Sequence, residues 1–450
     1  MEKFDILKNI VKECSEKNGI AEYELYYSED ASVRAETFRD EISAFSSSVG
    51  GSLLYRCIVN GKLGYASTQY LDESEMEKLV ARAMENALVI EKDEEAIIYG
   101  GAAPEEYRKV PECTFVMPTA AVIRERAMAN RNLLYAADDQ IADGTASGAS
   151  AGQSRTFLFN SNGLDLSSVT GNAGEFFRVV LDNGEEKQTG GEYLPNGFDK
   201  PDSERLEKIN KAITEARAKF GAGTVKTGKY NVVFKNDQME AILSTFLSVF
   251  FAENVQKGMS LLKGKLGEKI AADCITITDD PFSEDNTVQI PFDGEGVPTR
   301  CKNVVKNGVL KTYLYNLMTA KKDGVETTGN AARGAASIGT RVYTFYINKG
   351  EMTREELLKK AGNGIYVTAM KGFHAGANAV TGDFSIESEG FILENGEIGA
   401  PVKSFTVAGN FFELLKQISD VDNELDFGGP GGTRIVAPDA LVPGMSVAGE

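Results

Sequence analysis

His374 is the one histidine among 450 residues, and its solitude narrows the chemistry more than any motif does. A zinc site of the HExxH kind needs two histidines one helical turn apart on one face, with a glutamate to activate water. His374 lies in Gly372-Phe373-His374-Ala375-Gly376 with no second histidine to join it, so this chain cannot build that site. As a side chain that titrates near neutrality without help from its surroundings, it stays a cavity candidate. Cys14, Cys57, Cys113, Cys274 and Cys301 are dispersed and form no CxxC pair. They read as reduced thiols buried for packing, and a zinc site of carboxylates and thiolates stays open only in a formal sense.

The remaining reactive patterns are weaker. Gly264-Lys265 is followed by Leu266, where a phosphate-binding P-loop needs a hydroxyl, and no GxGxxG follows a strand-like run. Gly148-Ala149-Ser150-Ala151-Gly152 matches the GxSxG of a hydrolase nucleophile elbow. That elbow belongs between a strand and a helix. Here it falls in a small-residue stretch, Asp143–Gly152, read as a loop feeding a strand at Thr156–Asn160. A hydrolase using Ser150 with His374 is therefore the least favoured reading. Asp279, Asp280, Asp285, Asp293 and Glu295 have the chemistry for acid–base work or for holding a hard cation. Thr278–Pro281 and Phe292–Pro298 read more simply as turns, where Asp, Gly and Pro serve the backbone. No residue is assigned a catalytic, cofactor-binding or metal-binding role; His374, Asp293, Glu295 and Asn330 are the cavity candidates.

These residues must be positioned by an α+β framework. Phe4, Leu7, Val11 and Cys14 recur at helical spacing and open the chain with an amphipathic helix. Strand-like runs follow at Tyr23–Ser28, Val33–Phe38, Ile42–Ser46 and Leu53–Val59, and Asn60-Gly61 turns the chain into Leu63–Ser67. A helix capped at Asp72 or Ser74 is expected to bury Met76, Leu79, Val80, Ala83, Met84 and Leu88, and the unit ends near residue 95. Residues 1–99 thus form an N-terminal two-layer α/β domain. A middle segment, 100–223, begins with a proline-bearing linker to Pro118. It continues with a helix at Thr119–Ala137, hairpins turning at Asn162-Gly163 and Asn183-Gly184, a helix near Ser203–Phe220, and a glycine hinge at 221–223. Residues 224–450 form a larger, antiparallel-sheet-rich domain. Its hairpins turn at Asn307-Gly308 and Asn395-Gly396, and its helices are expected at Gln238–Phe251, Arg354–Ala361 and Asn410–Ile418.

Composition sets outer limits. The 66 acids against 48 bases, a net charge of −18, disfavour nucleic-acid backbones and anionic lipid surfaces as partners. Residues 1–17 carry charges throughout and no apolar core of an export signal, and no run approaches the ~18 apolar residues of a membrane span. The expectation is a soluble, cytoplasmic protein.

Several phrases in the second half carry a resemblance. Thr276-Ile277-Thr278-Asp279-Asp280-Pro281 is followed by Phe292-Asp293-Gly294-Glu295-Gly296-Val297-Pro298-Thr299 and Thr327-Thr328-Gly329-Asn330. Thr381-Gly382-Asp383-Phe384-Ser385 and Glu394-Asn395-Gly396-Glu397 come next, then Pro401-Val402-Lys403. In this order they resemble the TldD/PmbA family over nearly the whole chain. The resemblance implies two branches: a TldD branch with an HExxxH zinc helix and a further ligand in a C-terminal glycine-rich stretch, and a PmbA (TldE) branch without them. Where the zinc helix would lie, this chain reads Leu243-Ser244-Thr245-Phe246-Leu247-Ser248, and the glycine-rich stretch reads Gly428-Gly429-Pro430-Gly431-Gly432, with no cysteine. The implied role is that of a PmbA-branch partner without its own cofactor, zinc being supplied by a TldD-type subunit in a heterodimer that acts on unfolded or leader peptides. The alternative is a self-paired homodimer that binds peptides without cleaving them.

Overall fold

The computed structural model describes residues 2–90, 97–286, 288–334, 337–429 and 432–450. The expected end of the first unit near residue 95, and Pro430 and Gly431 of the glycine stretch, lie outside them.

The N-terminal half runs α1 (Glu2–Lys17), β1 (Glu22–Phe38), β2 (Glu41–Val59), β3 (Lys62–Thr68), α2 (Glu73–Val89), α3 (Ala120–Ala137), β4 (Ala146–Asn160), β5 (Asp165–Asp182), β6 (Lys187–Pro195) and α4 (Asp202–Ala218). The four short strand-like runs before Asn60 are two long strands, since the polar stretches between them stay extended and paired from Glu22↔Ile58 to Phe38↔Glu41. Asn60 and Gly61 take positive φ of 53° and 76°, the type I′ geometry that joins β2 to β3. All six strands form one sheet in the order β3-β2-β1-β4-β5-β6, so strands from residues 1–99 and from 100–223 share a single layer.

Helices cover one face of that sheet. Tyr23, Leu25 and Tyr27 of β1 meet α1 and α2, while Val33 and Ala35 meet Ile123 and Ala127 of α3. Leu134 of α3 and Ile209, Ala212, Ile213 and Ala216 of α4 close over Phe177, Val179 and Leu181. On α2 the buried stripe includes Ala87 rather than Leu88, which is exposed.

The stretch read as a loop at Asp143–Gly152 is strand from Ala146 onward. Small residues are used here because a helix lies close: Ala149 and Ala151 pack against α3, and Ser147 donates its hydroxyl to Ala127 O at 3.0 Å. On the opposite face of β4, a Cβ added to Gly148 would meet the Phe176 ring at 2.1 Å.

The C-terminal half runs β7 (Gly228–Phe234), α5 (Asn236–Phe246), α6 (Ala252–Gln256), β8 (Ile277–Asp279), β9 (Lys302–Lys306), β10 (Val309–Leu310), α7 (Leu317–Asp323), β11 (Ala331–Arg333), β12 (Ile338–Thr340), β13 (Thr344–Ile347), α8 (Arg354–Ala361), β14 (Gly364–Lys371), α9 (Phe373–Gly376), β15 (Asp383–Glu394), β16 (Glu397–Asn410), α10 (Phe411–Gln417), β17 (Asp420–Val421), β18 (Arg434–Val436) and β19 (Ala440–Ala448). Strands β7, β14, β15, β16 and β19 close into a ring, because β16 pairs with β19 as well as with β15. A second sheet, β10-β9-β8-β13-β18, packs on it, and one apolar core spans both, from Val225 to Val447. Among the described ladders β7–β14 and β13–β18 run parallel and the rest antiparallel, so the fold is α+β as the sequence implies.

Under the helices of the N-terminal sheet, Arg205 of α4 makes a bidentate pair with Glu175 of β5 at 2.9 and 3.1 Å, and Asn130 of α3 donates to the same carboxylate at 2.8 Å. Both charged side chains are essentially sealed from solvent, at 1% and 0% exposure. Removing one partner strands the other's charge. Glu175→Ala is therefore expected to lower stability by about 3–5 kcal/mol in urea unfolding, with Glu175→Gln closer to wild type.

Candidate functional site

The face of the N-terminal sheet without helices turns toward the C-terminal half, and charged side chains meet there. Glu24 of β1 and Arg56 of β2 are direct cross-strand partners, with Arg56 Nη1 3.3 Å from Glu24 Oε1. Arg333 of β11 reaches across and places its own Nη1 2.6 Å from the same oxygen. Its guanidinium lies over the Tyr26 ring at 4.9 Å, and its Nε donates to Gly294 O at 2.6 Å. Gly294 belongs to the 292–298 turn, which supplies Asp293 and Glu295. All five charged side chains are buried.

The turn is the one the sequence implies, but it is buried rather than solvated. Asp293 Oδ1 accepts from the Glu295 and Val297 amides at 2.8 and 3.0 Å, and Oδ2 accepts from Ala331 N at 2.9 Å. Glu295 Oε2 caps the start of α7 by accepting from Leu317 N at 2.8 Å. Burial pushes Asp293 up to about 6, against the pull of its three amides. Burial, with the Asp293 charge beside it, pushes Glu295 up to about 7.

Asp279 departs from the turn reading: it ends β8 and is fully buried, because its carboxylate ties four segments together. Oδ2 accepts from Lys302 Nζ at 3.0 Å and from Asn330 Nδ2 at 2.7 Å, and Oδ1 accepts from Tyr343 N at 2.8 Å. Tyr343 in turn donates its hydroxyl to Gly329 O at 2.8 Å. Asp280 keeps the turn role, accepting from Phe282 N, and Asp285 is exposed.

Two cavities flank the charged cluster. A cleft of about 530 Å³ has Asp293, Arg333, Arg341 and Tyr343 on one wall and the hydroxyls of Ser154, Thr156, Ser168 and Thr170 on the other. Glu295, Arg56 and Arg333 line a smaller cavity of about 190 Å³ on the other side. Thr170 and Val288 also line a neighbouring cleft of about 650 Å³, so the two larger clefts adjoin.

The structure thus gathers Asp293, Glu295 and Asn330 into one region, and leaves His374 elsewhere. His374 stands exposed on α9 and lines none of these three cavities. Ser150 lies mid-strand in β4, between Arg34 and Gly174, far from any strand-to-helix elbow in the chain path. Glu24, Arg56 and Arg333 escaped sequence reasoning because strand register brings the first two together and only the contact between the halves adds the third.

The residues where a zinc helix would lie do not fit a metal. Leu243 and Phe246 of α5 are fully buried in the apolar core, and Thr245 returns its hydroxyl to Ala241 O at 2.7 Å. Among the described residues no group of three or more His, Cys, Asp or Glu is placed to hold a metal ion. One turn earlier, Glu240 is a carboxyl that burial pushes up to about 8.

Residues 227–449 match the PmbA/TldA metallopeptidase C-terminal domain, and residues 23–87 match domain 1 of the same family. An uncharacterized protein of Methanocaldococcus jannaschii is 30% identical over 92% of this chain and 95% of its own length. Metalloprotease PmbA of Escherichia coli O157:H7 is 30% identical over 50% of this chain and 47% of its own. A Thermotoga maritima protein named as a modulator of a DNA gyrase superposes with a TM-score of 0.88 and 30% identity, covering 99% of this chain and 100% of that one. The structure of TldE from Thermococcus kodakarensis, at 23% identity, shares the fold with a TM-score of 0.88, covering 98% of this chain and 100% of that one. No helix among the described residues is long and apolar enough to cross a membrane.

The Asp279 hub yields a ranked expectation. Asp279→Ala leaves the Lys302 ammonium, 8% exposed, without its carboxylate and should cost about 3–5 kcal/mol. Asn330→Ala leaves Lys302 and the Tyr343 amide in place and should cost about 1–3 kcal/mol. Urea titration of both variants checks the order.

Proposed function

The chain belongs to the PmbA/TldD metallopeptidase family, and from that premise we propose that it is a PmbA/TldE-type subunit that does not cleave peptides by itself. One observation carries the reading. The stretch Leu243–Ser248, where the zinc-binding branch of the family places its HExxxH ligands, holds no histidine or glutamate, and its Leu243 and Phe246 serve the apolar core. A side chain committed to the core cannot also face a metal, so zinc and its activating glutamate belong to a TldD-type partner. In this reading the partner is a heterodimeric one, the compartment is the cytoplasm, and the substrates are unfolded or leader peptides.

What this chain contributes is shape and backbone. The two adjoining clefts of about 530 and about 650 Å³ are its share of a substrate cavity. Their walls present hydroxyls, arginines and the backbone of Gly294, Ala331 and Ala332, which suit an extended peptide read by its main chain more than by its side chains. Asp293 and Glu295 serve in this reading as cavity-wall groups, and no chemical step is assigned to them or to His374, which lies outside the clefts.

Digestion of an unfolded peptide tests the assignment. The purified chain alone is expected to give no cleavage with or without added zinc, and a TldD-type partner is expected to restore cleavage that a chelator abolishes. Chelator-sensitive cleavage by this chain alone, surviving removal of trace contaminants, would overturn the assignment.

A further inference from the structure

The cluster at the boundary between the two halves is unbalanced. Glu24, Asp293 and Glu295 bring three carboxylates, and Arg56 and Arg333 bring two guanidiniums, all of them buried. A buried charge without a counter-charge is expensive, and the usual escape for a carboxyl is to take up a proton. Among the described residues, the other charged or titratable groups around the turn are engaged elsewhere, Arg341 donating to the Thr433 hydroxyl at 3.0 Å. Tyr26 and Tyr343 present rings to Arg333 and Arg341, Tyr99 and Tyr107 of the 97–119 segment lie near Asp293, and Lys302 is committed to Asp279.

The cluster is also where the two halves are held on this side. Glu24 and Arg56 come from the N-terminal sheet; Arg333, Asp293 and Glu295 come from the C-terminal half. Around them, Gly296 sits so close to Leu158 and Leu164 that an added Cβ would fall 2.4 Å from Leu164, and Tyr107 donates its hydroxyl to Gly296 O at 2.8 Å. On the far side the halves meet through Lys403–Glu186 and Lys235–Glu215, beside the glycines at 221 and 223 where the chain crosses.

We propose that this cluster is a proton-dependent clasp: it holds the halves together when its carboxyls share one proton, and loss of that proton loosens it and widens the adjoining cleft. Arg333 lines both the cleft and the smaller cavity, so separating it from Glu24 merges the two spaces. The direction follows from the two carboxyls. Glu295 at about 7 and Asp293 at about 6 both lie above the usual carboxylate range, so the closed form binds protons more tightly than an open, solvated one. The one proton that balances the cluster is held by Glu295 beside the Asp293 charge, so its contribution to closure is complete below the ordinary carboxylate range and is lost as pH rises through about 7.

Small-angle scattering of the full chain at about pH 5.5 and about pH 8.5 brackets both groups. The wild type is expected to expand at the higher pH, with a radius of gyration larger by on the order of 1 Å, as a hinge opening would give. Glu295→Gln, a neutral isostere, should keep the compact radius at both pH values. Glu24→Gln removes the ion pair that crosses the boundary and should give the expanded radius at both pH values, which keeps the test alive if Glu295→Gln misfolds. Asp422→Asn removes another carboxyl pushed up to about 6, but inside the C-terminal half, and should expand as the wild type does. An unchanged wild-type radius, a folded Glu295→Gln variant that expands at the higher pH, a Glu24→Gln variant that stays compact at both pH values, or an Asp422→Asn variant that stays compact would each overturn the clasp.

Discussion

Burying five charged side chains between two folded halves fixes most of what surrounds them. Glu24 and Arg56 meet at the boundary only because β1 and β2 pair in one register, and a slip by one residue would put them on opposite faces of the sheet. That register is set at the Arg39-Asp40 turn, where Arg39 takes a positive φ of 56°, and locked by Tyr23, Leu25, Tyr27, Leu53 and Tyr55, whose side chains fill the core under α1 and α2. On the other side, Arg333 must emerge from β11 beside the 292–298 turn, and the Asp293 carboxylate holds that turn by accepting three backbone amides. The clefts exist because the halves are joined at this cluster and at the 221–223 crossing, leaving the hydroxyl-lined part of the sheet face between them uncovered.

Much of the framework is legible in the residues alone. The Asn-Gly pairs mark real hairpins, and the Thr353-capped helix runs Arg354–Ala361 as the sequence implies. What misleads is small-residue strand. In β4 the alternation of Ala, Ser and Gly looks like loop composition, but it reflects a helix packed too closely for larger side chains. Length misleads in the same region, since β1 and β2 continue through polar stretches that lack an apolar face of their own.

The site was half visible. The phrases holding Asp293, Glu295 and Asn330 stand out by resemblance, and the structure brings these residues together around the boundary. Their partners Glu24, Arg56 and Arg333 are single charges in ordinary strands, meaningful only once a ladder and a domain contact are known. Asp279 shows the same limit: Asp-Asp-Pro suggests a turn, and the first Asp is instead the anchor for Lys302, Asn330 and the Tyr343 amide. His374, conspicuous because it is alone, is an exposed residue on a short helix.

The functional account depends on where a metal can be held. A helix whose inward positions are Leu243 and Phe246 is built for packing, whereas a zinc helix must give up core contacts to face ligands toward a cavity. Membership of a metallopeptidase family and a core-committed helix are reconciled if the metal resides in another subunit. Zinc stoichiometry measures this directly: elemental analysis of the purified chain, alone and in complex with a TldD-type partner, after dialysis against zinc-free buffer. The account predicts no retained zinc in the chain alone and metal only in the complex. Stoichiometric zinc held by the chain alone would contradict it.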